Sequence, residues 1–154
     1  MAGAGPRPRT ARLAGGEAIA TLTQLVYSSR PFGYDQSTLD GILLGARRCN
    51  RRDGITGALV CRHDLYLQML EGPDDAVRAA YGRIRRDDRH VDVVLRTSAA
   101  VTDRMFAGWA MRHDPARSWL WSPEAVAEGI LDREEAGAFL RVFQTVAASP
   151  RDEE

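Results

Sequence analysis

Residues 55–72 read ITGALVCRHDLYLQMLEG, two apolar runs parted by Arg62, His63 and Asp64. Each run is too short for an ordinary helix and rich in β-formers, so each reads as a strand. The tight polar break makes them an antiparallel hairpin. Upstream, NRRDG at 50–54 ends a helix, with Asn50 suited to a C-terminal cap and Gly54 to a turn. That helix carries Leu39, Ile42, Leu43 and Ala46 at amphipathic spacing, and Ser37 with Asp40 resembles a capping box at its start. Gly41 and Gly45 inside it each cost about 1 kcal/mol against Ala. Lying on one helical face, they leave room for close packing of another element or, alternatively, of a ligand.

Further out, IATLTQLVYS at 19–28 places Ile19, Thr21, Thr23, Leu25 and Tyr27 on one face of a first strand, which SRPFGYDQ breaks. On the other side of the hairpin, Pro73 suits a first helical position. Val77, Ala80, Tyr81 and Ile84 mark a second amphipathic helix ending near Asp88. VDVVLRTS at 91–98 is a fourth strand and MFAGWAMR at 105–112 a fifth.

The resulting β-α-β-β-α-β-β order is α+β, the ferredoxin-like split βαβ plan with one added strand. Right-handed crossovers put both helices on one face and set the first and third strands side by side and parallel. The opposite face needs a cover. Ser122, Pro123 and Glu124 open a helix as cap, first position and early acid. Two short helices, 125–130 and 133–146, are expected to pack there. The chain thus divides into a flexible leader (1–18), a core domain (19–115), a helical extension (116–148) and a polar tail (149–154).

Composition narrows the function. With 154 residues there is room for one domain. The 21 basic residues, all Arg, balance 21 acidic ones. This gives no electrostatic case for a nucleic-acid partner or an anionic membrane. Two cysteines and three scattered histidines make a structural metal unexpected. No window approaches the roughly 18 apolar residues of a membrane span, and no secretory signal is visible, so a cytoplasmic location is expected. Nucleotide-binding glycine loops and nucleophile motifs are missing too, and the protein is not expected to be an enzyme.

The informative residues are polar ones in buried strands. Tyr27 ends the first strand, and Gln68 interrupts the apolar run LYLQMLEG. If these strands are neighbours, hydroxyl and amide can meet on the helix-covered face. A buried glutamine amide needs polar partners. From spacing alone, the pair is equally a structural hydrogen bond. Trp109 and Met111, two apart on the fifth strand, would share one face.

Five stretches together resemble the BLUF family, sensors of blue light using FAD: LVYSS at 25–29, ARRCNRRDGITGALV at 46–60, LQMLEG at 67–72, YGRIRRDDRH at 81–90 and FAGWAM at 106–111. The resemblance implies a flavin, taken as FAD, lying between the two helices. It makes Tyr27 and Gln68 the photoactive pair, Tyr27 donating an electron and a proton and Gln68 bridging to the ring. It assigns Asn50 to the pyrimidine edge of the ring and brings Ser29, Ile55, Thr56, Arg83 and Ile84 to the cofactor pocket. Trp109 and Met111 become the signal relay. Cys49 departs from the family, where Asn or His is common. The implied function is a photoreceptor acting on an unidentified downstream protein, itself expected to be a homo-oligomer. The alternative is a flavin- or ligand-binding ferredoxin-like domain without photoactivity.

Overall fold

In a computed structural model, the structure describes residues 10–12, 18–33 and 35–149. β1 (Thr10–Arg12) and β2 (Ala18–Ala20) form a two-stranded antiparallel ladder. Residues 10–12 are therefore strand where a flexible leader was expected; residues 1–9, 13–17, 34 and 150–154 lie outside the described set. The expected first strand divides at Thr21, so that β3 (Leu22–Pro31) enters the main sheet separately.

α1 (Gln36–Asp53) is capped two residues upstream of the expected Ser37, because the Asp35 carboxylate accepts from Thr38 N–H at 2.7 Å. Gly54, at φ 72°, closes the helix in the left-handed conformation and donates its N–H to the Asn50 carbonyl. β4 (Thr56–Arg62) and β5 (Leu65–Gly72) form the hairpin. α2 (Asp74–Arg85) follows with Pro73 just outside it as N-cap. β6 (His90–Val101) and β7 (Arg112–Pro115) complete a five-stranded sheet of order β6-β3-β5-β4-β7.

The first and third expected strands, β3 and β5, are neighbours, but antiparallel rather than parallel. The crossover through α1 makes β3 and β4 run the same way, and the hairpin then reverses the chain. β5 slots between them in the opposite direction, opposing Tyr27 to Gln68 in register.

The fifth strand is also shorter than expected. It begins only at Arg112, pairing parallel with β4, and the chain from 104 to 111 is irregular, with Gly108 at φ 86°. The cause lies across the sheet end. The fully buried Glu71 carboxylate accepts from the backbone amides of Met105 (2.8 Å) and Phe106 (2.6 Å), from Thr56 Oγ1 (2.9 Å) and from Gln24 Nε2 (3.3 Å). Amides held by a carboxylate cannot join a ladder.

Sheet alternation creates two cores. Leu25, Tyr27, Leu59, Cys61, Tyr66 and Leu70 face α1 and α2. Val26, Ala58, Val60, Leu67 and Met69 face the other way, under the C-terminal segment. That segment forms three helices where two were expected: α3 (Pro123–Ala127), α4 (Ile130–Arg133) and α5 (Ala136–Ala148). Gly129, left-handed at φ 89°, separates the first two. Ser122 caps α3 as expected, accepting from Ala125 N–H at 3.1 Å. Phe139, Val142, Phe143 and Val146 of α5 bury against the sheet, Phe143 meeting Phe106 edge-on at 6.2 Å.

β6, at the sheet edge, is bulged twice. Between Val26↔Thr97 and Tyr27↔Leu95, Arg96 has no partner. Between Ser28↔Val94 and Arg30↔Val91, two residues oppose one, and Asp92 takes φ 54°. Such bulges twist an edge strand and re-aim its side chains.

Candidate flavin site

A cavity of about 220 Å³ opens between α1 and α2 over the sheet. α1 supplies Ile42, Gly45, Ala46, Cys49 and Asn50 to its wall; α2 supplies Ala80, Arg83 and Ile84. β5 supplies Gln68 and Leu70, and the turn into β6 adds Asp87, Arg89 and His90. The volume is below the roughly 300–1,000 Å³ of drug-sized ligand clefts, so it suits a ring system rather than a whole dinucleotide.

At its floor, Tyr27 is fully buried and donates its hydroxyl hydrogen to Gln68 Oε1. The Gln68 amide in turn donates from Nε2 to Met111 Sδ at 3.3 Å, a weak acceptor. The strand register that pairs Tyr27 with Gln68 brings the two side chains together. Tyr81 packs on the Tyr27 ring at 5.7 Å and His90 stands edge-on at 6.2 Å, fixing its orientation. Burial, and secondarily the charge of Asp87 and the neighbouring Tyr81 and Tyr66, holds the Tyr27 hydroxyl well above the ordinary phenol value. Tyr27 is therefore a neutral phenol across the physiological range.

At the other edge, Asn50 is buried and donates from Nδ2 to the Ala110 carbonyl at 2.7 Å. One turn earlier, Arg47 Nε donates to the Met111 carbonyl at 3.1 Å. α1 side chains thus hold the 110–111 backbone just before β7 begins. Ser29 Oγ pairs with His90 Nδ1 at 3.0 Å. Burial pushes His90 below its ordinary value, against the pull of Asp87. At the mouth, Arg89 holds Asp87 through both carboxylate oxygens, which lowers the acid, and Arg83 reaches Asp53 at 3.3 Å.

The sequence-selected residues separate into groups. Gln68, Asn50, Arg83 and Ile84 line the cavity, as does Cys49. Tyr27 lies directly behind Gln68, and Ser29 meets the wall residue His90. Ile55 and Thr56 are not in the wall: Ile55 is buried in the core, and Thr56 is held by Glu71 and Arg104. Trp109 and Met111 do not share a face. Met111 is buried beside Gln68 on the helix-covered side, while Trp109 packs with the core beneath the C-terminal helices, under the Arg112 guanidinium at 5.5 Å. The alternation rule fails because the segment is not yet a strand. Reading the sequence missed Glu71 and Arg47. The signal for Glu71 was available, an acid closing an otherwise apolar strand.

A flavin ring needs a flat apolar slot with hydrogen-bonding groups at one edge. Ile42, Leu70, Ala80 and Ile84 provide the slot, and Asn50 and Gln68 the edge. A Cβ built at Gly45 would meet nothing within 4 Å, so the space over α1 is left open by the packing. The residues fit the group.

Fold and site together define a flavin-binding sensor domain of the βαββαββ type. Residues 22–112 match the family described as BLUF, sensors of blue-light using FAD, and the chain belongs to it, among blue-light flavin photoreceptors. The photoactivated adenylate cyclase subunit beta of Euglena gracilis is 38% identical over 92 residues, 60% of this chain and 10% of that one. Its counterpart from Euglena longa is 37% identical over 98 residues, 63% and 11% of the two chains. This chain thus spans about a tenth of these relatives. BlrB, a BLUF protein in its dark state, superposes with a TM-score of 0.70 at 27% identity, covering 84% of this chain and 98% of the other. A bacterial light-regulated adenylyl cyclase superposes at 0.60 with 28% identity, covering 81% and 35%. Among the described residues, no helix is long and apolar enough to cross a membrane.

Proposed function

We propose that the chain senses blue light through a hydrogen-bond switch at Tyr27 and Gln68, holds its flavin as FAD, and passes the signal on by protein contacts. The observation that carries this reading is the buried hydrogen bond from the Tyr27 hydroxyl to Gln68 Oε1, on the wall of a ring-sized cavity. When bound, a flavin supplies absorption of blue light and a strong one-electron oxidant once excited.

The chain's own residues supply the rest. Tyr27 is a neutral phenol bonded to the wall residue Gln68, and the hydrogen of its hydroxyl already points at an acceptor. The Gln68 amide can present either its oxygen or its nitrogen to Tyr27, because rotation about its last torsion exchanges donor and acceptor. Among the described residues the amide nitrogen meets one weak acceptor, Met111 Sδ, and the bond from Tyr27 is exchanged rather than lost when the amide turns. The two arrangements differ by hydrogen bonds alone, so the energy gap between them is small and neighbouring contacts decide it. Asn50 and Ile84 hold and cover the ring, and Arg83 offers charge at the mouth for the phosphates of FAD. Ser29 acts through His90.

A light-minus-dark absorption spectrum tests the reading. The purified protein should be yellow and move reversibly to the red under blue light. Tyr27→Phe and Gln68→Leu should keep the flavin and lose the shift; a full reversible shift in Tyr27→Phe would refute the switch. Chromatography of the released cofactor separates FAD from FMN.

A further inference from the structure

We propose that Arg96 couples the strand carrying Tyr27 to the C-terminal helices, so that the state of the buried pair is read out at α4. This rests on the Tyr27–Gln68 reading for its light-dependent part only.

Arg96 is the unmatched residue of the first bulge in β6, opposite the peptide joining Val26 and Tyr27. The bulge turns its side chain away from the cavity, toward the face covered by the C-terminal segment. There the guanidinium makes contacts to three elements. Nε donates to Ser28 Oγ at 2.9 Å, and Ser28 is buried and follows Tyr27 in the chain. Nη1 donates to the Leu131 carbonyl at 3.3 Å and to Asp132 Oδ1 at 2.9 Å, both on α4. The guanidinium also sits over the Phe139 ring of α5 at 5.6 Å. Its side chain is only 12% exposed, so these contacts are shielded from water, although Asp132 itself is 76% exposed.

Consecutive strand residues point to opposite faces. Tyr27 therefore faces the cavity while Ser28 faces α4, and Arg96 grips the sheet at that step. A planar guanidinium with five donors in a fixed fork transmits displacement better than a flexible point charge does. α4 is four residues long, starts at a left-handed glycine and lacks a side-chain cap. Buried Leu131 and single turn bonds such as Asp132 N–H to the Gly129 carbonyl hold it, and Arg96 adds a tie at its carbonyl and carboxylate side. A shift of the Tyr27–Ser28 backbone reaches α4 through Arg96 as a lost or lengthened hydrogen bond to the Leu131 carbonyl.

The test is hydrogen exchange of the full chain with flavin bound, followed over residues 123–133 in the dark and under blue light. Arg96→Gln removes the fork; Asp132→Asn alters only an exposed partner and guards against a variant that fails to fold. In the dark, Arg96→Gln should exchange this segment about tenfold faster, the loss expected for charge-assisted hydrogen bonds, and Asp132→Asn by less. Under light, the wild type should exchange the segment faster than in the dark. Arg96→Gln should keep the absorption shift but show no further light-dependent increase. Wild-type dark exchange in Arg96→Gln, or a light-dependent increase equal to that of the wild type, overturns the proposal. A wild type with bound flavin but no absorption shift instead refutes the Tyr27–Gln68 switch, and the dark comparison still decides the role of Arg96.

Discussion

Glu71→Gln exchanges one carboxylate oxygen for an amide at a site that supplies four hydrogen-bond acceptances. Oε1 serves Phe106 N–H and Thr56 Oγ1; Oε2 serves Met105 N–H and Gln24 Nε2. Whichever oxygen is replaced, its side-chain partner can adapt, since a hydroxyl can accept and a glutamine amide can flip. The backbone N–H cannot. One amide then faces another donor in a fully buried place, and the other keeps a neutral bond in place of a charged one. A hydrogen bond to a charged group is worth about 1.5–3 kcal/mol, and demoting the second one costs about 1 more, so the loss is roughly 2.5–4 kcal/mol. Against a total stability of about 5–15 kcal/mol that is large. Urea unfolding followed by circular dichroism measures it, with the midpoint moving down and the slope unchanged. Because Glu71 turns the 105–106 backbone away from the sheet, hydrogen exchange at those amides should rise as well. A change in stability under about 0.5 kcal/mol, within ordinary surface variation, would show that the carboxylate does not hold this segment.

Gly57→Ala should prevent stable folding, since its Cβ would lie 1.9 Å from the Met69 carbonyl oxygen; a soluble variant with a wild-type thermal midpoint would contradict the β4–β5 register. Cys49 lines the cavity whereas Cys61 is buried, so one thiol should react readily with an alkylating reagent in flavin-free protein and be protected when flavin is bound. Equal labelling in both states, by mass spectrometry, would remove the ring from this cavity. Tyr27 should contribute stability that is complete below its unfolded value of 10.0 and lost as pH climbs from there toward its higher folded value. His90, lowered by burial, should contribute stability present above 6.5 and lost as pH falls through its folded value. Unfolding free energy against pH should fall at both ends. Tyr27→Phe should flatten the alkaline limb and His90→Gln the acidic one.

The strand and helix order was legible because each element buries one face and its periodicity shows which. The polar exceptions were legible for the same reason, since Gln68 stands out within LYLQMLEG. What failed was whatever a distant residue decides. The direction of β3 relative to β5 follows from the hairpin reversing the chain beneath a crossover, which local alternation does not encode. MFAGWAMR has the composition of a strand, but Glu71, 34 residues before Met105, captures the amides a strand would use. Asp35 won the helix start over Ser37 because its carboxylate reaches Thr38 N–H. At the site, Asn50, Gln68, Arg83 and Ile84 were legible from motif position, and Ile55 and Thr56 fell outside the wall because the chain turns at Gly54 just before them. Arg47 was hidden among arginines that look alike in sequence.

Alternation along β3 and β5 has an evolutionary consequence. Each strand devotes every second residue to the cavity side and the rest to the side beneath α5. Selection can therefore rewrite one set of positions without disturbing the other, as if two texts were interleaved on one line. A lineage could keep Tyr27, Gln68 and Leu70 unchanged while repacking Val26, Leu67 and Met69 together with α5, acquiring new outputs on an inherited detector. Such change meets constraint at the step from Tyr27 to Ser28, where Arg96 ties the strand to the covering helices.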